Sequence, residues 1–245
     1  YVAAPLFIFM GAILQRSGAA EDLFESLYII FGKIRGGIAI TTVVICTLLA
    51  AASGIIGASL TIMTMLALPA MMKYKYDEKL ATGTIMAAGC LGTMIPPSII
   101  LVIYGAQAQI SIGKLFAGAF VPGLILSSLY LAYIIIRVIL DPKSAPAIDP
   151  REAAKYSFRQ KLKMVLKSIL PTLVLIFLVL GSIMLGAATP TEAAALGCVG
   201  AAAIALLNRR LTCKMIKECC YITMTTNGMI MWIILGASMF RSVFL

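Results

Sequence analysis

Two short stretches of this chain hold residue types from which an ion site can be built without ionisable side chains. The first is Ser53-Gly54-Ile55-Ile56-Gly57-Ala58-Ser59, and the second is Gly92-Thr93-Met94-Ile95-Pro96-Pro97-Ser98. Both interrupt apolar runs. Consecutive prolines remove two backbone donors, and Pro97 also pushes Pro96 out of the helical region, so the helix must open around residues 92–96. Carbonyls that those donors would normally bind are left over. In hydrocarbon such groups survive only inside protein, around water, or on a ligand. A cation that accepts oxygen ligands removes the cost directly. The candidate ligands are the carbonyls of residues 92–97 and of Ser53, with the hydroxyls of Thr93 and Ser98 nearby. A proline kink made only for packing is the alternative, but two breaks bracketing one loop weigh against it.

Other site chemistries find little support. The chain has no histidine, which removes the commonest metal ligand and proton shuttle together. Cysteines 46, 90, 198, 213, 219 and 220 form no C-x-x-C pair, and four of them sit within or beside apolar runs, so they read as small packing residues rather than a disulfide or zinc framework. No nucleophile–base pair or phosphate loop is present, so the chain does not read as an enzyme and calls for no cofactor. Glu192 opens a strongly apolar helix and invites a proton-relay role. Its neighbours, Thr189-Pro190-Thr191, instead make it the N3 residue of a capping box with proline at N1. Coupling to sodium therefore suits the chain better than coupling to protons.

The elements that must carry these stretches follow from composition. Hydrophobic residues make up 61% of the 245 positions and charged residues 12%, too apolar for a soluble or disordered chain. The apolar runs are continuous rather than alternating, so the fold class is an all-α integral membrane protein. Runs fall at 1–15, 37–51, 55–72, 80–104, 116–140, 168–187, 191–207 and 219–240. The last five approach the ~20 residues of a full span. The pair 37–51 and 55–72 is short and lacks a polar loop, which suits a re-entrant hairpin better than two crossings. Basic clusters at Lys33/Arg35, Lys73/Lys75/Lys79, Lys143 through Lys167 and Arg209/Arg210/Lys214/Lys217 are separated by two apolar segments each time. All four fall on one face, which the positive-inside bias makes cytoplasmic. Either form of the hairpin returns to that face, so the bias does not separate them. The same bias accounts for the net charge of +10 without a nucleic-acid partner.

Asp141-Pro142, Pro146 and Pro150 mark an irregular linker whose second part, from Tyr156 to Lys167, reads either as an amphipathic surface helix or as a plain connector. Gly11-Ala12-Ile13-Leu14-Gln15-Arg16-Ser17 is echoed by Gly236-Ala237-Ser238-Met239-Phe240-Arg241-Ser242, as in the internal repeats of secondary transporters. Discontinuous helices in such proteins bind sodium through unwound carbonyls, while half-helix N-termini face an anionic substrate. The apolar start at Tyr1 and the missing stop signal at Leu245 read as a fragment open at both ends.

These residues carry a resemblance. Pro5-Leu6-Phe7 with Met10-Gly11, Ser53-Gly54, Leu68-Pro69-Ala70-Met71, the block from Gly92 to Ile99 with Tyr104-Gly105, Ser111-Ile112-Gly113-Lys114-Leu115-Phe116 with Ala117-Gly118 and Pro122-Gly123, and Thr189-Pro190-Thr191-Glu192-Ala193-Ala194-Ala195 occur in order. The chain resembles the large membrane subunit of tripartite ATP-independent periplasmic (TRAP) transporters over essentially its whole length. The resemblance implies an elevator-type permease of the bacterial inner membrane that imports sodium with an organic anion such as a C4-dicarboxylate or sugar acid. A small four-helix membrane subunit and a periplasmic solute-binding protein would be its partners. By similarity, sodium would sit on Ser53 and the carbonyls of Gly92, Met94 and Pro97, with substrate near Gly54, Thr93 and Ser98. Ile55 stands where the family often has a small polar residue, which puts a substrate contact there in doubt. The implied division is a partial N-terminal helix and interfacial segment (1–36), a hairpin (37–72), a broken helix and following span (73–140), a cytoplasmic linker (141–167) and the start of a second repeat (168–245).

Overall fold

The computed structural model describes residues 2–54, 56–148 and 158–244; the side chains of residues 53, 56, 58, 158–163 and 243–244 are excepted. Pro150 and Tyr156 of the linker lie outside this set. The regular structure of the described residues is all helix, with no strand among them. Helices α1 (Ala3–Arg16) and α2 (Ala19–Phe31) meet at a 54° bend. Helices α3 (Gly37–Ser53) and α4 (Ile56–Lys73) form a packed hairpin, followed by α5 (Glu78–Gly89), a 3-10 turn (Cys90–Thr93) and α6 (Ile99–Ala108). Then come α7 (Ile112–Leu140), α8 (Phe158–Ile176, prolonged by a π turn and Ser182–Met184), α9 (Pro190–Leu207) and α10 (Cys213–Phe244).

Among the described residues, four helices are long and apolar enough to cross a membrane: α7, the Met164–Met184 stretch of α8, α9, and Cys213–Ser242 of α10. The bent pair α1–α2 gives a fifth if it is one span. The run 80–104, expected as a single crossing, is instead two short helices on either side of the proline break, because Pro96 and Pro97 cannot supply the hydrogen bonds that would join them. The hairpin arms are also short apolar helices. At 17 residues, α3 is about 26 Å long, less than the ~30 Å hydrocarbon core. Its tip residue Gly54 is buried. A short hairpin ending inside the protein fits the re-entrant form.

Two apolar cores share α3. One gathers α1, α6, α8 and α9 around Phe7 and Phe116, whose rings meet edge-on at 6.3 Å. Its centre is α1, buried on nearly every side, with Met10 against Gly197 of α9 so closely that any side chain at 197 would strike the thioether. The other packs α2, α4, α5 and the end of α7 around Leu23, Ile38, Met63 and Met71. Large apolar side chains such as Leu129, Ile136 and Trp232 point outward, as a lipid-facing belt requires. Only Cys46 and Cys219 of the six cysteines are buried; Cys198 is half-buried, and Cys90, Cys213 and Cys220 are exposed and so do not pack as expected.

Backbone bonds tie the polar connections together. Asp77 N–H donates to Ser144 O (2.8 Å), Gly36 N–H to Ala145 O (3.0 Å) and Ile148 N–H to Gly32 O (2.9 Å). Tyr76 is buried and its hydroxyl accepts from Ile38 N–H at 3.3 Å, capping α3; burial pushes this phenol up to about 12, so it stays neutral. At the other end of α2, Asn208 donates to Ser17 O (3.0 Å), Arg16 pairs with Glu218, and Arg210 with Glu21. Segments carrying basic residues thus meet along α2, whose buried stripe is Ala20, Leu23 and Leu27. The Lys-rich end of the linker runs into the following span without a break, since Phe158–Ile176 is one helix.

The capping box at Thr189 is present. Glu192 N–H donates to Thr189 Oγ1 (3.3 Å), and Thr189 N–H donates to the Glu192 carboxylate (2.7 Å). Glu192 therefore holds a helix end. Thr189→Ala is expected to destabilise the protein by about 1 kcal/mol, read as a lower melting temperature, with transport intact.

Candidate ion and substrate site

The break between α5 and α6 is built from its prolines. In a continuous helix the N–H of residue 96 would bind the carbonyl of Gly92, and that of residue 97 the carbonyl of Thr93; neither N–H exists. The chain tightens into the 3-10 turn, where Met94 and Ile95 N–H both donate to Leu91 O. It then runs irregularly through the cis Pro96–Pro97 bond to Ser98, whose extended backbone opens α6.

Gly54, at the tip of the α3–α4 hairpin, lies directly against this break. Its φ of +62° is left-handed, and a Cβ placed there would come within 2.1 Å of the Pro97 carbonyl oxygen and 3.4 Å of Ser98 Cα. Only glycine gives both the turn and the approach. Gly123 of α7 also lies against the break: a Cβ there would stand 2.8 Å from the Ile95 side chain and 3.4 Å from the Met94 carbonyl oxygen. Thr47 and Ser127 hydroxyls meet at 2.7 Å and join α3 to α7 nearby in sequence.

Ser98 is the unusual side chain of the site. It is 1% exposed, and its Oγ has no hydrogen-bond partner among the described residues. An unsatisfied buried hydroxyl costs about 1–3 kcal/mol. The Thr93 hydroxyl, by contrast, donates to Cys90 O at 2.8 Å and keeps only its lone pairs for a ligand.

The residues singled out in the sequence are thus partly convergent. Gly54, Pro97 and Ser98 come together, and Gly92 is buried beside them in sequence. The Met94 carbonyl lies against Gly123 of α7, and the Met94 side chain is 44% exposed. Ser53 closes α3, while its hydroxyl and Ile55 lie outside the described residues. The role of Gly123 escaped sequence reasoning. Pro122-Gly123 was visible as a motif, but nothing local says that this glycine faces a break elsewhere in the chain. No group of His, Cys, Asp or Glu able to hold a metal occurs among the described residues. Any cation here would take carbonyl and hydroxyl oxygens, a donor set for a hard monovalent or alkaline-earth ion.

A family model described as tripartite ATP-independent periplasmic transporter, DctM component, matches residues 1–245. The chain belongs to this family. It is 35% identical over 245 residues to the C4-dicarboxylate TRAP transporter large permease protein DctM of Pseudomonas aeruginosa, covering 99% of this chain and 55% of that protein. It is 31% identical over 243 residues to the isethionate TRAP transporter permease protein DctMQ of Oleidesulfovibrio alaskensis, covering 99% and 37% respectively. Similarity to the ectoine TRAP transporter large permease protein TeaC of Halomonas elongata is 32% over 194 residues, 79% of this chain and 44% of that protein. The chain spans about half the length, or less, of the curated relatives it matches. These relatives are transport permeases, not enzymes, and with the apolar helices they make this a multi-pass membrane protein.

Proposed function

We propose that this chain forms part of the permease of a sodium-coupled secondary transporter in the bacterial inner membrane. It imports an organic anion bearing a carboxylate, such as a C4-dicarboxylate or a sugar acid, delivered by a periplasmic solute-binding protein. A small four-helix membrane subunit completes the complex. Sodium is held by Ser53 and the carbonyls of Gly92, Met94 and Pro97, and the anion is placed near Gly54, Thr93 and Ser98. The hairpin and broken helix move together as an elevator.

The observation that carries this reading is the contact of Gly54 with the Pro97 carbonyl. It puts a left-handed hairpin tip against the end of the break whose prolines leave the Gly92 and Thr93 carbonyls without helical donors. The unpartnered Ser98 hydroxyl at the head of α6 adds an oxygen where the helix dipole is positive. That combination serves a cation and an anion side by side. Relatives named for a dicarboxylate, isethionate and ectoine show that this kind of permease serves solutes of different chemistry, so the carboxylate is argued from the helix dipole and the C4-dicarboxylate relatives.

The test is uptake into liposomes holding the full-length permease and its small subunit. With the binding protein, radiolabelled C4-dicarboxylate should accumulate at least tenfold more under an inward sodium gradient than with potassium in its place. Equal uptake in both salts sinks the coupling. Uptake without a binding protein would favour a stand-alone carboxylate carrier, and no uptake under any gradient would favour a scaffold subunit.

A further inference from the structure

A groove of about 750 Å³ opens on the outer surface between α5 and α7, away from the break. Its walls are one face of each helix. Lys79, Gly83 and Ala87 line it from α5, and Tyr133, Ile134 and Arg137 line it from α7. Gly83 carves the space, since a Cβ there would meet nothing within 4 Å. From Lys79 to Ala87 the groove runs about 12 Å along α5.

Its polarity is graded. Lys79 and Arg137 stand at one end with Asp77, whose backbone is tied to Ser144 in the linker that carries basic residues. Away from that end the lining is uncharged, with Val43, Gly83, Ala87 and Ile134 beside the hydroxyl-bearing Thr84 and Tyr130. Arg137 reaches Asp77 only at 3.9 Å, and both side chains are partly exposed, so this pair is weak and leaves one cationic charge in excess. Around the groove, Met86, Tyr133 and Ile136 are more than half exposed, as on a lipid-facing surface. A phosphate at the basic end with a hydrocarbon chain along Gly83 and Ala87 satisfies both halves at once. Two cations beside tyrosine at the membrane face are the usual elements of anionic headgroup recognition.

We infer that the α5–α7 groove binds an anionic phospholipid of the cytoplasmic leaflet, its phosphate on Lys79 and Arg137 and one acyl chain along Gly83 and Ala87. The lipid braces α5, the helix that leads into the break, against α7. This site is independent of the sodium and solute reading.

Native mass spectrometry of the detergent-purified full-length permease tests it, with dioleoyl phosphatidylglycerol and dioleoyl phosphatidylcholine as probes. The phosphatidylglycerol should be retained about tenfold more tightly. Lys79→Gln with Arg137→Gln should bring the two lipids close to parity. Gly83→Leu, which has room for its side chain, should fill the groove and weaken phosphatidylglycerol binding at least fivefold without lowering the melting temperature. This variant keeps the test decisive should the charge variant misfold. Equal retention of both lipids by the unaltered protein overturns the proposal, as does indifference to both variants. Displacement of the lipid by inorganic phosphate alone also overturns it, by making the ligand a soluble anion.

Discussion

Gly54→Ala is expected to abolish solute uptake by the full-length permease, by at least about 100-fold, while the protein still inserts and folds. Two independent effects converge on this residue. Its φ of +62° is unfavourable for any residue with a Cβ, by roughly 1–2 kcal/mol. The added carbon would also stand 2.1 Å from the Pro97 carbonyl oxygen, and a backbone oxygen cannot rotate aside as a side chain would. The tip or the break must retreat by about 1 Å, and displacements of that size can cost 100-fold where a site depends on geometry. Gly57 supplies the control. It lies in the same hairpin, but nothing stands within 4 Å of its Cβ position, so Gly57→Ala should leave uptake within about twofold. Uptake in liposomes and melting temperature should be measured on the same preparations. Normal uptake by Gly54→Ala would show that the contact between hairpin and break does not matter for transport.

The two partners in that contact were legible in the sequence, but their meeting was not. Pro96-Pro97 announces a break because proline has no N–H to give, and Ser53-Gly54 between apolar runs announces a tip. Each is a local statement. That Gly54 touches Pro97 depends on α4 returning along α3 and α5 packing against both, which no local pattern encodes. The capping box at Thr189 was fully readable for the opposite reason, since all its partners lie within one turn. The same contrast explains the linker. Asp141, Pro142 and Pro146 lie in irregular chain over residues 141–148, but the lysines before Ser168 do not end a helix. Lysine and leucine both favour helix, and α8 continues through them into its span. Cys90 shows a third limit, because apolar neighbours in a membrane chain mark depth in the bilayer without saying which face of the helix is covered. The echo of Gly11–Ser17 at Gly236–Ser242 extends to a local detail: Ser17 Oγ donates to Leu14 O and Ser242 Oγ to Met239 O, at matching positions.

Ser98→Ala separates a ligand from a packing accident, because the two possibilities move stability and transport differently. A buried hydroxyl without a partner is a liability in the folded protein, so removing it should leave the melting temperature unchanged or raise it. If the oxygen is held for an ion or an anionic solute, the same substitution removes a hydrogen bond or ligand to a charged group, worth about 1.5–3 kcal/mol. The expected result is therefore a protein at least as stable as its parent in which the sodium or solute concentration for half-maximal uptake rises by about 10- to 100-fold. Whichever concentration moves identifies the group that Ser98 meets. A shift for sodium alone would add this hydroxyl to the cation shell around Pro97, and a shift for solute alone would place it on the carboxylate at the start of α6. Thr93→Val offers the comparison within the same break: its hydroxyl already donates to Cys90 O, so losing it should lower the melting temperature instead. Unchanged uptake by Ser98→Ala, with a raised melting temperature, would mark the hydroxyl as an unpaired group of packing and remove it from the site.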